Sequence, residues 1–522
     1  MNVSESIDDV IVHSPEEYLR RMRSSSVYDV ARRSSVEISP TISEQLRQHV
    51  WVKREDQQSI FSFKIRGAYE RMVRLGARGF GNGVIAASAG NHAQGVAVSA
   101  KMLSTSATIV VPETTPAIKR EAIHKLGADL IVFGDSYDDA YQYAMELGEK
   151  RGLSFVHPYD HPDTIVGQGT IGLELVEQIQ NLDSVFVPVG GGGLIAGIAM
   201  AIRQISPSTR IIGVEADDAD AMTQSLRRGE RVLLPTVGTF ADGCSVRQVG
   251  VETFRIAREF VDDMVTVTND EICGAIKSLF EDLRALPEPA GALGMAGLIK
   301  YSQNFEPGST LCAVLSGANL NFDRLQFIAE RAALGRQNEA ILAISIPEKP
   351  GSFARLCRAI GKRNLTEFNY RFEPGSEATV FAGVSVSDES DLQNLKVSLS
   401  ESSFAYNDLS GDELSKLHLR HLVGGRHSDL TPERIYRVDF PERAGALGHF
   451  LGQLGDRWNI SLFHYRNHGS DRGRALVAFQ VPVDSASEFE LFTQLQPFSM
   501  IEVTQSSAIS LFLTNKQNHV QQ

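Results

Sequence analysis

Cysteine is scarce in this chain of 522 residues. The four that occur are far apart and form no C-x-x-C pair: they are Cys244, Cys273, Cys312 and Cys357. This spacing excludes a disulfide framework and a zinc site, and it is typical of a protein from a reducing compartment. Long apolar runs are also lacking, since no stretch approaches the roughly 18 to 20 apolar residues that span a bilayer.

A targeting signal is missing from the first 21 residues of the sequence. They contain no apolar core of the kind that signal peptides carry, and four acidic residues between Asp8 and Glu17 are atypical of transit peptides. We therefore expect a cytoplasmic protein, with a trimmed organellar precursor as the alternative.

Positive charge is in deficit, because 51 Lys and Arg residues face 64 Asp and Glu residues, a formal net charge of -13. Such a chain repels phosphate backbones and anionic lipids, so neither nucleic acid nor a membrane surface is expected as a partner. The fractions of hydrophobic (42%) and charged (22%) residues exclude a disordered chain. The length corresponds to roughly three to four domains, and a small-molecule ligand is the favoured partner.

Short β-rich runs alternate with longer helical patterns between residues 50 and 320. This alternation predicts an α/β fold with parallel sheets covered by helices, and the apolar character of the runs fits strands buried on both faces. Several runs end in Gly, Ser or Asn, where open α/β sheets collect ligands. The runs are VIAAS (84–88), ATIVVP (107–112), DLIVFG (129–134), SVFVPVGGGG (184–193) and RIIGVEA (210–216).

The C-terminal part of the chain repeats itself with a period of about 94 residues, which indicates a duplicated domain. Segments 344–372 and 438–467 share a strand, a Pro-Glu pair, a Gly turn, an amphipathic helix and a second strand with Tyr-Arg. Each copy continues with a further strand. This βαββ beginning predicts two ferredoxin-like α+β subdomains.

The first candidate site is SFKIRGAY (62–69), which contains Lys64. A lysine amine is a useful nucleophile where desolvation or a neighbouring cation lowers its pKa. The apolar neighbours Phe63 and Ile65, together with Arg66, predict both effects. The alternative is an exposed lysine at the start of a helix.

A second candidate site, SAGNHAQG (88–95), follows one of the predicted strands and precedes a helical pattern. Ser88, Gly90 and Asn91 are thereby predicted at a helix N-terminus, where free N–H groups and the helix dipole hold an anion such as a carboxylate. The alternative is a simple helix cap. We expect His92 to pack or cap rather than to act as a base.

The sharpest signal is PVGGGGLIAG (188–197), in which four glycines separate a buried strand from an apolar helix. Successive glycines permit a nest of N–H groups around a phosphate. Since neither GxGxxG nor the Walker pattern occurs, we predict a phosphorylated organic cofactor rather than a dinucleotide or a nucleoside triphosphate. The alternative is a structural turn, although each glycine in an ordered element costs about 0.5 to 1 kcal/mol.

A fourth candidate, VLSGANLNF (314–322), is a strand that ends in Ser-Gly-Ala-Asn. The hydroxyl of Ser316 could hydrogen-bond a ring nitrogen, because a hydroxyl donates or accepts as required. Without the other motifs it would be only a turn at the end of a strand.

In this order, the four motifs resemble the pyridoxal-phosphate enzymes of fold type II (tryptophan-synthase β-like), and within them the threonine dehydratase (threonine deaminase) family. FVHPYDHP, GQGT and EPAGA extend the resemblance. It implies pyridoxal 5'-phosphate as the cofactor, a Schiff base with Lys64, and no metal. The implied cofactor-binding residues are Lys64, Asn91 at the ring hydroxyl, Gly190, Gly191, Gly192, Gly193 and Leu194 at the phosphate, and Ser316 at the pyridine nitrogen. The implied substrate-binding residues are Ser88 and Gly90.

The activity implied by the resemblance is deamination of L-threonine to 2-oxobutanoate and ammonia, the first committed step of isoleucine biosynthesis. Lys64 would be the base. A hydroxyl at the ring nitrogen, in place of a carboxylate, would favour elimination over transamination. The alternatives are a dehydratase of another hydroxy amino acid, such as serine or 3-hydroxyaspartate, and a sensor without turnover.

The sequence departs from the family pattern at Ser34-Ser35, where Thr-Pro or Ser-Pro is usual. We therefore expect the loop on the substrate side to differ. FADG (240–243) and EPAG (288–291) fit the pattern and imply that Asp242 and Glu288 lie near the pocket.

The duplicated tail resembles the two ACT-like regulatory subdomains of long-form threonine dehydratases. The resemblance implies isoleucine as the effector, with valine as a second candidate, and a homotetramer. We predict a catalytic domain (1–330), a linker (331–340) and two ACT-like subdomains (341–428 and 429–518). Candidate effector contacts are the aromatic residues that follow each helix, and the alternative is that they pack a repeat interface: Phe368, Tyr370, Phe463 and Tyr465.

Overall fold

The computed structural model describes residues 13–77, 80–335, 338–347, 352–370, 377–419, 433–441, 457–466, 472–495 and 498–512. The chain divides into two compact units, Met1–Ala332 and Ala333–Gln522. None of the described helices combines the length and the apolar character that a membrane span requires.

The first unit alternates strands and helices, as predicted. Its strands are β1 (Val36–Ile38), β2 (His49–Arg54), β3 (Val84–Ala87), β4 (Ala107–Val111), β5 (Asp129–Val132), β6 (Ser154–Phe155), β7 (Ser184–Pro188), β8 (Arg210–Ala216), β9 (Asp263–Val267) and β10 (Thr310–Leu315). Its helices are α1 (Pro15–Arg23), α2 (Pro40–Leu46), α3 (Lys64–Gly76), α4 (Asn91–Met102), α5 (Ala117–Lys125), α6 (Tyr137–Arg151), α7 (Pro162–Gln178), α8 (Gly193–Ile205), α9 (Ala221–Arg228), α10 (Val251–Phe260), α11 (Asn269–Leu283), α12 (Pro289–Tyr301) and α13 (Leu325–Gly335), which crosses the boundary between the units.

These strands form two sheets. The larger has the order β1-β2-β10-β7-β8-β9 and is parallel except for β1, while the smaller has the order β5-β4-β3-β6 and is parallel throughout. Every residue of β3 and β7 is buried, which explains their unbroken apolar runs. Helix α8 is buried from Gly193 to Ile202 and is therefore apolar on all sides. The predicted parallel α/β architecture is confirmed.

A fully buried group of charged side chains joins β2, α3 and α7. The Lys53 amine lies 2.6 Å from a carboxylate oxygen of Glu174, and the Arg66 guanidinium contacts both Glu174 (2.6 Å) and Glu55 (2.8 Å). Buried charges persist only when they are paired in this way, and removal of one partner typically costs about 3 to 5 kcal/mol. The group therefore fixes the N-terminal turn of α3, on which Lys64 lies.

Of the Ser34-Ser35 pair, Ser34 belongs to the same buried region. The Ser34 hydroxyl donates to Glu55 (2.5 Å), and its carbonyl accepts from the Lys53 amine (2.8 Å) and the Gln178 amide (2.9 Å). Ser34 therefore contributes to the charged group that holds α3, and the expected difference in the loop on the substrate side stays a prediction.

The second unit contains two copies of an antiparallel sheet. Its strands are β11 (Glu339–Pro347), β12 (Leu365–Tyr370), β13 (Glu377–Ser385), β14 (Tyr406–Asp408), β15 (Glu433–Pro441), β16 (Asn459–Arg466), β17 (Arg472–Gln480) and β18 (Ser499–Glu502). Its helices are α14 (Ser352–Ile360), α15 (Glu389–Glu401), α16 (Glu413–Leu417), α17 (Ala486–Gln494) and α18 (Ser507–Phe512). The sheet orders, β12-β13-β11-β14 and β16-β17-β15-β18, are equivalent and ferredoxin-like, as predicted. The first helix expected in the second copy lies outside the described residues.

The two antiparallel sheets share an apolar core. One face of the first sheet contributes Ile341, Ala343 and Phe381, which cluster with Leu476 and Ala478 of the second sheet. Alternation along a strand sends the intervening residues to the other face, where they pack against the helices of each copy. The duplicated subdomains therefore form one body with continuous packing.

The segment predicted as a linker, 331–340, contains the end of α13, which continues to Gly335, and the start of β11 at Glu339. Leu334 already packs in the core that the two regulatory sheets share.

Candidate active site

The four motifs meet at the carboxyl ends of three parallel strands. Helix α4 begins four residues after β3, α8 begins five residues after β7, and Ser316 directly follows β10. The segment before Lys64 is tied to the last of these ends, since the backbone N–H of Phe63 donates to the carbonyl of Ser316 (3.2 Å) and Ser62 bridges to Gly317. Such strand ends are where open α/β sheets bind ligands.

Lys64 is the first residue of α3, and its amine donates to the carbonyl oxygen of Pro158 (3.0 Å). Desolvation lowers the pKa of this amine to about 8, while the nearby Cys244 and Glu288 oppose the shift. A substantial fraction of the amine is therefore neutral near physiological pH and able to act as a nucleophile.

The predicted contribution of Arg66 to this pKa is wrong. Although Arg66 is only two residues from Lys64, its guanidinium is turned into the buried charged group and paired with Glu55 and Glu174. Because two carboxylates neutralise it, the groups that affect the Lys64 pKa are Cys244 and Glu288 instead.

The glycine loop 190–193 packs closely against neighbouring residues. A Cβ atom at Gly191 would lie 2.3 Å from the ring of Tyr159, and one at Gly190 would lie 2.8 Å from the Cα atom of Cys244. Both distances are too short for a real side chain. The structural reason for the glycines therefore holds alongside the anion-binding reason.

The same loop also offers backbone N–H groups to a ligand. Gly192 adopts φ +94°, a conformation that favours glycine, and α8 begins at the next residue, with Leu194 buried in its first turn. N–H groups in the first turn of a helix have no partner within the helix. In the described part of the chain, the N–H groups of Gly191 and Gly192 also meet no other acceptor. A phosphate fits this nest.

The segment after β6 connects the lysine to the glycine loop, a role that the sequence analysis missed. Pro158 accepts from the Lys64 amine, Tyr159 underlies the loop, and the Asp160 carboxylate accepts from the N–H groups of Val251 (2.7 Å) and Glu252 (3.0 Å) at the start of α10. The available signal was the motif HPYD, whose proline and aspartate are typical of turns and helix caps.

Asn91 lies between two other polar side chains. Its Nδ2 donates to Oε1 of Glu288 (2.6 Å), and its Oδ1 accepts from Nδ2 of Asn319 (2.6 Å). Burial raises the pKa of the Glu288 carboxyl to about 7, and the nearby Asp242 reinforces the shift. Glu288 was expected near the pocket, whereas the role of Asn319, the last residue of S-G-A-N, was not anticipated.

Asp242 was also expected near the pocket, and it affects the pKa values of Glu288 and Cys244 there. Burial alone would raise its own pKa. Ion pairs with Lys119 (2.6 Å) and Arg324 (3.5 Å) instead lower the pKa of Asp242 to about 2. It is therefore a permanent anion beside a carboxyl group that titrates near neutrality.

Two hydroxyl groups expected at the cofactor and the substrate have capacity to bind a ligand. Ser316 is buried, and its hydroxyl donates a long hydrogen bond to the carbonyl of Ala290 (3.4 Å). Ser88 accepts from the N–H of Gly90 (3.3 Å), and a Cβ atom at Gly90 would meet nothing within 4 Å. The space in front of the α4 N-terminus is therefore open.

His92 packs rather than acting as a base. Its Nε2 lies 2.8 Å from the carbonyl oxygen of Val156, and burial, assisted by the charge of Lys64, lowers its pKa to about 3. The imidazole is therefore neutral at physiological pH, and it contributes to the core beneath α4.

Of the candidate effector contacts, Phe368 is half-buried and packs against the helix-facing core of the first regulatory subdomain. This contact favours the packing alternative for Phe368. The side chains of Tyr370, Phe463 and Tyr465 lie outside the described residues.

The fold and these groups define a class. A desolvated lysine, a phosphate-sized nest at a helix N-terminus and a buried hydroxyl at a third strand end suit an enzyme that works with a phosphorylated carbonyl cofactor. The family model described as pyridoxal-phosphate dependent enzyme matches residues 29–317, and the chain belongs to this family. The model described as the C-terminal regulatory domain of threonine dehydratase matches residues 330–419 and 424–513.

Individual relatives agree with both family models. The chain is 47% identical over 503 residues to the biosynthetic L-threonine dehydratase of Burkholderia multivorans, which covers 95% of this chain and 99% of the relative. It is similar to the solved structure of the processed form of threonine deaminase isoform 2 from Solanum lycopersicum (46% identity, TM-score 0.60, 61% of this chain and 93% of that chain). Maize serine racemase is more distant (33% identity, TM-score 0.57, 59% and 95%).

Proposed function

We propose that this protein deaminates L-threonine to 2-oxobutanoate and ammonia in isoleucine biosynthesis, with pyridoxal 5'-phosphate as cofactor and isoleucine as feedback inhibitor. The observation that carries the proposal is the presence, in one chain, of the desolvated Lys64 beside the glycine nest and of a duplicated threonine dehydratase regulatory domain. A cytoplasmic homotetramer is part of the same proposal.

Lys64 attaches the cofactor and then moves a proton. Its amine is desolvated and has a pKa near 8, so a neutral, nucleophilic fraction would hold the carbonyl carbon of the cofactor at physiological pH, with the carbonyl oxygen leaving as water. The same amine, when it is free, would accept the proton from the substrate Cα, with the carbonyl of Pro158 orienting its Nζ. The bound cofactor supplies an electron sink for the negative charge left at Cα.

The other residues hold the cofactor by its ends. The N–H groups of the glycine loop and of Leu194 bind the phosphate, the Asn91 amide contacts the ring hydroxyl, and the Ser316 hydroxyl contacts the ring nitrogen. These assignments fit the N–H groups of Gly191 and Gly192, which meet no acceptor in the described part of the chain, and the long contact of Ser316. A neutral hydroxyl at the ring nitrogen leaves that nitrogen without a stabilised positive charge, which favours elimination.

Ser88 and Gly90 bind the substrate carboxylate at the N-terminus of α4. The free N–H groups and the helix dipole favour an anion there, and the space in front of Gly90 is open. Binding at this point orients the substrate amine toward the lysine side of the pocket.

Keto-acid release from a panel of amino acids tests the proposal. The full-length protein with pyridoxal phosphate should show a visible absorbance band and release 2-oxobutanoate from threonine faster than keto acids from serine or 3-hydroxyaspartate. Faster release from one of the latter would favour the alternative dehydratase. A band without release from any of them would favour the sensor.

Replacement of Gly191 by valine should weaken cofactor binding at least about tenfold, because a branched side chain would disturb the N–H nest and collide with Tyr159. Cofactor occupancy after dialysis gives the measurement, with circular dichroism as the check on folding. Gly411→Val, at a glycine whose Cβ would meet nothing within 4 Å, is the matched control. Unchanged occupancy of Gly191→Val would contradict the phosphate assignment.

A further inference from the structure

The hydrogen bonds around Asn91 determine which terminal atom of its side-chain amide is Oδ1 and which is Nδ2. The backbone carbonyl of Ile60 can only accept a hydrogen bond. The side-chain amide of Asn319 lies 2.8 Å from this oxygen, so the atom that faces it must be Nδ2, the donor. The Ile60 carbonyl therefore fixes the orientation of the Asn319 side-chain amide.

The orientation of the Asn319 amide determines the orientation of the Asn91 amide. The same Nδ2 of Asn319 lies 2.6 Å from the Asn91 amide, and the atom that receives its second hydrogen must be the acceptor Oδ1. Nδ2 of Asn91 is then on the opposite side, where it donates to Oε1 of Glu288 over 2.6 Å. Each of the two amides is thus in the only orientation that leaves every contact a donor–acceptor pair.

These contacts engage the Asn91 side-chain amide except for one Nδ2 hydrogen. Oδ1 is engaged by Asn319, and one of the two Nδ2 hydrogens is engaged by Glu288. The second Nδ2 hydrogen remains for a ligand. A flipped amide would instead set oxygen against the Glu288 carboxyl and Nδ2 against the Asn319 amide nitrogen.

The three side chains are held by the backbone that also carries Lys64. The N–H of Ala318 donates to the carbonyl of Phe61 (2.8 Å), and the N–H of Glu288 donates to the carbonyl of Gly317 (3.2 Å). Ile60 and Phe61 belong to the loop that leads into α3. The group therefore connects the lysine-bearing segment, the end of β10 and the N-termini of α4 and α12.

We propose that Asn319 and Glu288 are positioning residues that lock the Asn91 amide so that it presents an N–H, and not a carbonyl oxygen, to the cofactor ring hydroxyl. The inference rests on the proposed function, in which Asn91 contacts that hydroxyl. An N–H donor stabilises the deprotonated ring oxygen, whereas a carbonyl oxygen at the same place would repel it. The lock therefore sets both the cofactor affinity and the charge state of its ring.

Four variants of the full-length protein test the lock. Asn319→Asp places an acceptor against both the Ile60 carbonyl and Asn91 Oδ1, which favours the flipped amide, and Asn319→Ala only removes the lock. Glu288→Ala removes the acceptor on the other side, while Glu288→Gln keeps an oxygen there. Asn321→Ala is the matched control, since it removes the Asn321 cap of Asp323 in the same loop without touching Asn91.

Two readouts separate positioning from a general structural role. The first is the dissociation constant of pyridoxal phosphate from cofactor-free protein, and the second is the midpoint of the pH titration of the visible absorbance band. Asn319→Ala, Asn319→Asp and Glu288→Ala should weaken binding at least about tenfold and shift the midpoint. Asn321→Ala should keep the wild-type affinity and midpoint to within about a factor of three, and Glu288→Gln, which removes a charge near Lys64, should keep the wild-type affinity to the same extent.

The outcomes are distinguishable. Wild-type affinity and midpoint in Asn319→Ala and in Glu288→Ala would overturn the lock while leaving the proposed function intact. If Asn319→Asp does not fold, these two alanine variants still test whether the Asn91 amide is locked. A loss of affinity in Glu288→Gln equal to that in Glu288→Ala would also overturn it, because the charge and not the acceptor would then matter. Absence of the band from wild-type protein would overturn the proposed function as well.

Discussion

The Lys64→Ala variant should lose turnover of threonine by at least about two to four orders of magnitude, and with it the visible band of the bound cofactor. The amine is the only group assigned to bond the cofactor covalently, and it is also the assigned proton acceptor at the substrate Cα. Loss of the base alone would account for the stated factor. The measurement is 2-oxobutanoate release together with an absorbance spectrum of the purified protein.

The variant should remain folded, so the loss can be assigned to chemistry. Alanine is the best helix former, and Lys64 occupies the first position of α3, where the buried Arg66, Glu55 and Glu174 hold the turn in place. Lys101→Ala, at an exposed position in the last turn of α4, is the matched control and should behave as wild type. Retention of about a tenth of the wild-type rate by Lys64→Ala would exclude the assignment.

The elements of the first unit could be predicted from the sequence because its strands are buried on both faces. VIAA and SVFVP contain no polar break, and each is followed by small residues that start a helix. The division into two sheets could not be predicted. It depends on the pairing of β3 with β4 and β6, and of β7 with β8 and β10, and no local pattern encodes which strand becomes a neighbour.

The candidate site shows the same limit at the level of single side chains. Gly190 to Gly193 could be singled out because four glycines are costly in an ordered segment. A second requirement for glycine comes from the ring of Tyr159, which leaves no room for a side chain and lies more than thirty positions earlier in the chain. Arg66 was expected to act on Lys64 because the two are neighbours in sequence. The side chains diverge around the helix, and Arg66 pairs with carboxylates from β2–α3 and α7 instead.

In the tail, a repeat of about 94 residues was sufficient to predict two copies of one fold, since identical patterns bury identical faces. The packing of the two sheets against each other was not predicted. Strands β11 and β15 carry apolar residues on both faces, and only the structure shows that the second face meets the other copy: Ile341 and Ala343 cluster with Ile435.

Removal of the second unit should abolish inhibition by isoleucine while leaving deamination of threonine. Isoleucine can act on a pocket that it does not occupy only by binding one conformational state better than another. A coupling of about 1 to 3 kcal/mol would change the apparent affinity for threonine roughly 5- to 150-fold. Without the duplicated regulatory domain there is no site for this differential binding, so the response should vanish.

The structure indicates where to end the shortened chain. A chain that ends at Ala332, the last residue of the first unit, keeps the ion pair of Arg331 with Asp270 and omits Leu334, which would otherwise expose a regulatory core contact. Threonine saturation curves of this chain and of the full-length protein are compared with and without millimolar isoleucine, with valine as the second effector and glycine as the amino-acid control. A full-length protein indifferent to isoleucine, or a shortened chain that isoleucine still inhibits, would contradict the regulatory assignment, because in either case the sensing site would not be in the duplicated domain.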